Sequence, residues 1–123
     1  GVEVRQLDPE WNRLDYEYYE KYLSEHLRDV KWSDAVFASD MGAIACYRFV
    51  TERGIRVPDQ MKIMAYDGTD FTRMMMPVMT AVRQDITKLA SSCADTVVWL
   101  VQRKEPVRMH RIIDVEFQKG GTT

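Results

Sequence analysis

Three polar residues stand directly after apolar runs: Ser39 and Asp40 follow Ala35-Val36-Phe37-Ala38, and Asp67 follows Ile63-Met64-Ala65-Tyr66. A carboxylate accepts hydrogen bonds and a hydroxyl both donates and accepts, so this trio suits a ligand rich in hydroxyl groups. Each has a plainer use as well. Asp40 can cap a helix, and Asp67-Gly68 can make a turn. Other chemistry is poorly supplied. The two histidines, His26 and His110, have no Ser or Cys neighbour. Cys46 and Cys93 lie far apart and read as small buried thiols rather than a disulfide or metal pair. C-x-x-C, H-E-x-x-H, G-x-S-x-G and phosphate-binding Gly-rich patterns are absent. An acid–base pair of Asp40 and Asp67 would need one carboxyl in an apolar pocket to raise its pKa, whereas both follow strands at a polar edge. The expectation is therefore a binding protein, not an enzyme, with no metal and no cofactor.

The elements that must position these residues alternate. Val2 to Leu7 alternates apolar with polar, as a half-exposed strand does, and Asp8-Pro9 ends it. Tyr19, Tyr22, Leu23, His26, Leu27 and Val30 recur at helical spacing from about Asp15 to Val30. Ala35 to Ala38 reads as a parallel strand buried on both faces. A helix follows from about Met41 to Arg53, closed by Gly54 in a left-handed cap, with Pro58 forbidding continuation. Met61 to Tyr66 is a second buried strand, Phe71 to Met76 a helical turn ended by Pro77, and Met79 to Arg83 a third strand. From Asp85 a long helix carries Ile86, Leu89, Ala90, Cys93, Ala94, Val97, Leu100 and Val101 on one stripe, and Pro106 breaks it. Arg108 to Phe117 reads as a last strand and Lys119 to Thr123 as a frayed tail. This order predicts an α/β fold with a mainly parallel sheet flanked by helices. In such sheets ligands bind beyond the carboxyl ends of the strands, the edge that carries Ser39, Asp40 and Asp67.

Composition agrees with one globular unit. The chain has 123 residues, 46% hydrophobic and 29% charged, with net charge -2. It carries no basic footprint for nucleic acid. No apolar run reaches membrane-spanning length and no signal-peptide pattern opens the chain. It starts at Gly1-Val2 without an initiator Met, which leaves room for an upstream targeting or DNA-binding segment.

The run "DAVFASDMGAIACYRFVTERGIRVPDQMKIMAYDGTD", followed by "PVMTAVRQD" and a final "FQKGGTT", resembles the carboxyl-terminal portion of lac-repressor-family (LacI/GalR-type) transcription regulators. The resemblance covers essentially the whole chain. It implies a periplasmic-binding-protein-like (type I) fold: two α/β subdomains with an effector in the cleft between them. Residues 1–83 would be mostly second subdomain, 84–104 a helix returning to the first, and 105–123 the final strand and tail. It further implies a cytoplasmic homodimer, a small effector, most commonly a neutral sugar, and operator DNA bound through an amino-terminal head outside this chain. Control would be allosteric. On the family's pattern, Asp67 is the effector-contacting Asp, Ser39 stands where Asn is usual, and Asp40 matches the next Asp. Trp11 falls in the loop that presents an aromatic ring to the sugar. Gly68 departs from a frequent second Asp. Ile44, Tyr47, Arg48 and Thr51 on one helix, with Phe71, Met74 and Met75, match dimerising surfaces. A periplasmic sugar-binding component of a transporter shares the fold and is the alternative. The apolar stripe from Ile86 to Val101 is expected to be covered by another chain, by the rest of the effector domain, or by a rearrangement.

Overall fold

The computed structural model describes residues 1–10, 13, 15–27, 35–103 and 110–123. Its elements run α1 (Tyr16–His26), β1 (Ala35–Ser39), α2 (Asp40–Glu52), β2 (Lys62–Asp67), α3 (Asp70–Met74), β3 (Thr80–Gln84), α4 (Ile86–Arg103) and β4 (Val115–Gln118). The sheet order is β1-β2-β3-β4. The first three strands are parallel and β4 is antiparallel to β3. The mainly parallel α/β sheet expected from the sequence is present.

Local chemistry explains these elements. Asp15 caps α1 by accepting from the Tyr18 N–H at 2.8 Å, and Tyr19 and Leu23, one turn apart, bury its inner face. Ala43, Ala45, Cys46, Phe49 and Val50 do the same for α2. Gly54 takes φ 77°, and the Gly54 and Ile55 N–H groups return to Thr51 and Val50 carbonyls, closing α2. The core forms where α1 and α2 meet Met61, Ile63, Ala65, Met79 and Ala81 of the sheet layer. Of the α1 tyrosines, Tyr19 is buried, and the Tyr18 and Tyr22 hydroxyls accept the Glu10 and Asp8 N–H groups, respectively.

Several expectations are corrected. Val2 to Leu7 forms no strand; Val2 to Gln6 lie exposed and Leu7 is half-buried. Alternation specifies one apolar face, but a strand also needs a neighbouring backbone to pair with. The last strand is short: only Val115–Gln118 pairs, residues 110–114 belong to no strand, and Arg108 lies outside the described residues. Helix α1 ends at His26, with Val30 outside the described residues. The tail is not frayed. Thr122 is fully buried; its hydroxyl accepts from the Thr80 N–H at 2.9 Å and donates to the Ile63 carbonyl at 2.7 Å. Its own carbonyl accepts the Ile63 N–H, so the tail joins β2 to β3. Cys46 is buried as expected, and burial pushes its thiol up to about 12. Cys93 is exposed.

Cys93 is exposed because α4 stands clear of the core. Ile86, Val97, Val98 and Val101 are each more than half exposed, with Val101 at 70%. Rearrangement within the chain therefore does not cover the stripe. Of the three coverings expected, another chain and the rest of the effector domain remain. The face of the sheet opposite α2 is also open, with Phe37 and Tyr66 in an edge-to-face pair at 5.9 Å.

Candidate functional site

The carboxyl ends of β1, β2 and β3 meet at one edge, as parallel register requires: Ser39 lies opposite Tyr66, and Asp67 opposite Arg83. The β2–α3 turn dominates this edge. Asp67 has φ 111°, a backbone region that side-chain-bearing residues rarely adopt and that costs about 1–3 kcal/mol where the surroundings impose it. The surroundings do impose it. Gly68 takes φ 66°, and a Cβ there would lie 2.6 Å from the Arg83 Cα, so the turn sits directly on β3. A second Asp at this position would collide with that backbone.

Asp40 holds the other side of the turn. It is the first residue of α2 and only 5% exposed. One carboxylate oxygen accepts the Gly68 N–H at 3.0 Å. The other accepts the Thr69 N–H at 2.6 Å and the Thr69 hydroxyl. Three donors on one buried carboxylate fix the loop far more firmly than a neutral acceptor could. Ser39 occupies the N-cap position of α2, yet its side chain makes no capping bond and is exposed. The capping role expected of Asp40 is thus replaced by a cross-loop latch, a contact spanning 28 positions.

Asp67 is half-buried, and its Oδ1 accepts from Gln84 Nε2 at 2.6 Å. Asp67 to Asp70 form one wall of an open groove of about 560 Å³; Arg83 to Thr87 and Glu116 form the other. Four carboxylates line it against one guanidinium, Arg83, which lies 3.9 Å from Asp70. Such a lining repels anions and offers acceptors to hydroxyl groups. A smaller hollow of about 190 Å³ lies on the other side of Gln84, against Tyr66, Leu89 and Arg111. The structure therefore brings Asp67 into a groove, leaves Ser39 on the adjoining edge outside it, and commits Asp40 to the loop. Trp11 lies outside the described residues. Gln84 went unmarked in the sequence as a site residue; its place at the end of the strand that crosses toward the long helix was the available signal. Among the described residues no group of His, Cys, Asp and Glu is arranged to hold a metal ion.

The second candidate surface is also contiguous. On α2, Ile44 and Tyr47 are half-buried and pack against the edge of the core, Thr51 is half-buried, and Arg48 is exposed. The Tyr47 hydroxyl reaches the Met76 carbonyl at 3.4 Å, joining α2 to the methionine segment. Phe71, Met74 and Met76 project outward, Met76 being 89% exposed, while Met75 packs against the core.

The chain matches the model of the periplasmic binding protein-like domain over residues 2–123. It is 32% identical over 73 residues to the sucrose operon repressor of Streptococcus mutans, covering 58% of this chain and 23% of that protein. It is 28% identical over 115 residues to the ribose operon repressor of Haemophilus influenzae, covering 89% of this chain and 34% of that protein. A solved structure of the lactose repressor, bound to an anti-inducer, superposes with TM-score 0.69 at 27% identity, over 88% of this chain and 39% of that one. The chain spans a quarter to a third of the curated relatives' lengths.

Proposed function

Since this chain belongs to the periplasmic-binding-protein-like family and is similar to the effector-binding domains of lac-repressor-type transcriptional regulators, we propose that it is the carboxyl-terminal part of such a domain and contributes the Asp67 half of a cleft that binds a small, uncharged, hydroxyl-rich effector. The carrying observation is Asp67 itself: a residue at φ 111° that lines a groove, its carboxylate held by Gln84. Backbone strain held in place by a latch and a close-packed glycine is the mark of a position retained for use. The acidic lining supports a neutral sugar over a phosphorylated metabolite. Ser39 extends the contact along the edge, Asp40 serves the ligand indirectly by fixing the turn, and the stacking role of Trp11, outside the described residues, rests on the family resemblance alone.

An effector that binds the closed cleft better than the open one shifts the subdomain equilibrium. That shift changes operator affinity through a dimer and an amino-terminal DNA-binding head, in the cytoplasm. The dimer forms through Ile44, Tyr47, Arg48 and Thr51 of α2 with Phe71 and Met74; Met75 supports this face from within. Exposed methionines adapt to a surface that repacks during a switch. The stripe on α4 packs against the other subdomain. Relatives that are operon repressors favour this over the transporter component and over an enzyme.

The test is calorimetric titration of the protein as encoded with sucrose, ribose and glucose 6-phosphate, beside Asp67→Asn. Saturable heat with a neutral sugar, lost in the variant, is expected. Heat with the phosphorylated sugar alone would refute the charge argument.

A further inference from the structure

We propose that Gln84 is a positioning residue that ties the Asp67 carboxylate to the start of α4, so that the ligand groove and the first turn of α4 move as one unit. This rests on Asp67 as the effector contact. It adds a route by which occupancy is felt outside the groove.

The argument is one of slack. Pairing between β2 and β3 ends at Asp67 opposite Arg83. One residue later, Gln84 is the last residue of β3, and its amide donates to Asp67 Oδ1 at 2.6 Å, a charge-assisted length. A single residue, Asp85, then separates Gln84 from α4. Asp85 is itself fixed at the helix entrance: its side chain accepts the Lys88 N–H at 2.9 Å and its carbonyl the Leu89 N–H at 2.8 Å. No flexible linker lies between the carboxylate and the helix. The turn cannot slide instead, because Gly68 rests against the Arg83 backbone and Asp40 holds Gly68 and Thr69. Gln84 also borders both the groove and the smaller hollow against Leu89. With Oδ1 taken by Gln84, a ligand hydroxyl meets the remaining oxygen. A ligand that draws on this carboxylate therefore pulls on a bond whose other end is the root of α4. Coupling of this kind needs a contiguous physical connection between the two places, and one bond plus one residue supplies it.

Amide exchange in the full chain tests this without any ligand. Lys88 and Leu89 report on the helix root, Gly68 and Thr69 on the turn, and Ile63, bonded to Thr122, on global opening. Three variants are compared: Gln84→Ala, Asp67→Gly, which accepts φ 111° without strain, and the double. Each single variant is expected to exchange about tenfold faster at Lys88 and Leu89, the scale of one charge-assisted bond, with Ile63 unchanged. The double should be no faster than either. Unchanged Lys88 and Leu89 in Asp67→Gly would overturn the proposal, as would accelerations that multiply in the double or appear equally at Ile63. Gln84→Glu, of the same length but facing carboxylate with carboxylate, should behave as Gln84→Ala does. Titration of the encoded protein and its variants with sucrose and ribose separates the two premises. Coupled exchange with no heat from either sugar supports the tie and removes the effector role of Asp67. Heat lost in Asp67→Gly yet unchanged in Gln84→Ala overturns the positioning role.

Discussion

Replacing Asp40 with Asn changes one atom of a buried carboxylate and should unseat the turn that presents Asp67. The carboxylate takes three hydrogen bonds, from the Gly68 N–H, the Thr69 N–H and the Thr69 hydroxyl. Asn has one acceptor atom. Its best compromise turns that oxygen to Thr69 and sets its NH2 against the Gly68 N–H, donor facing donor at a buried residue. Leaving that N–H unsatisfied costs about 1–3 kcal/mol. The two remaining bonds lose their ionic character, for about 1 kcal/mol each. The expected destabilisation is roughly 3–5 kcal/mol, a large share of the margin of about 5–15 kcal/mol typical of folded domains. At this size about 4 °C is lost per kcal/mol, so Tm should fall by roughly 12–20 °C. Urea and thermal unfolding followed by circular dichroism give both numbers. Thr69→Val, which removes one donor and spares the backbone bonds, should cost about 1 kcal/mol. An Asp40→Asn protein within about 1 kcal/mol of wild type would refute the view that this carboxylate latches the turn.

Four further outcomes follow from the packing. Thr122→Val keeps the shape but strands the buried Thr80 N–H and removes a donor from the Ile63 carbonyl, which should lower stability by about 2–4 kcal/mol in urea unfolding, whereas Thr122→Ser should cost about 1 kcal/mol. Gly68→Ala places a Cβ against the Arg83 backbone at positive φ and should destabilise by more than about 3 kcal/mol, read in the same assay; a neutral result would mean the turn is not seated on β3. Cys93 should react with a thiol reagent at once and Cys46 only on unfolding. Because burial raises the folded Cys46 pKa to about 12, the unfolded thiol ionises first. Stability is thus full below the unfolded pKa of about 8.5 and falls by about 1.4 kcal/mol per pH unit as pH rises from there toward the folded value.

The parallel strands and α2 could be read from the sequence because continuous apolar runs, Gly54 and Pro58 encode them locally. Ala35 to Ala38 and Ile63 to Tyr66 need no distant partner to be recognised. What the sequence hid was long-range or depended on a partner. Val2 to Leu7 alternates correctly but meets no strand. Thr122 lies in a polar, glycine-rich tail that looks loose until its bonds to Thr80 and Ile63 are seen. Asp40 has the chemistry of a cap, and only the fold shows its oxygens turned across to Gly68 and Thr69. Cys93 sits on a helical stripe that normally implies burial, and the burying surface is not among the described residues. At the groove, Asp67 was marked by its place after a strand; Gln84 was not, because a place at a strand end does not by itself distinguish a Gln that lines a groove from one that only faces water.

The most direct test of the central claim is calorimetry of the encoded protein with sucrose and ribose, wild type against Asp67→Asn. An effector cleft with Asp67 on its floor predicts saturable heat with a neutral sugar in wild type and its loss in Asp67→Asn, with thermal stability in the absence of sugar little changed. Binding of equal strength in both proteins would contradict it.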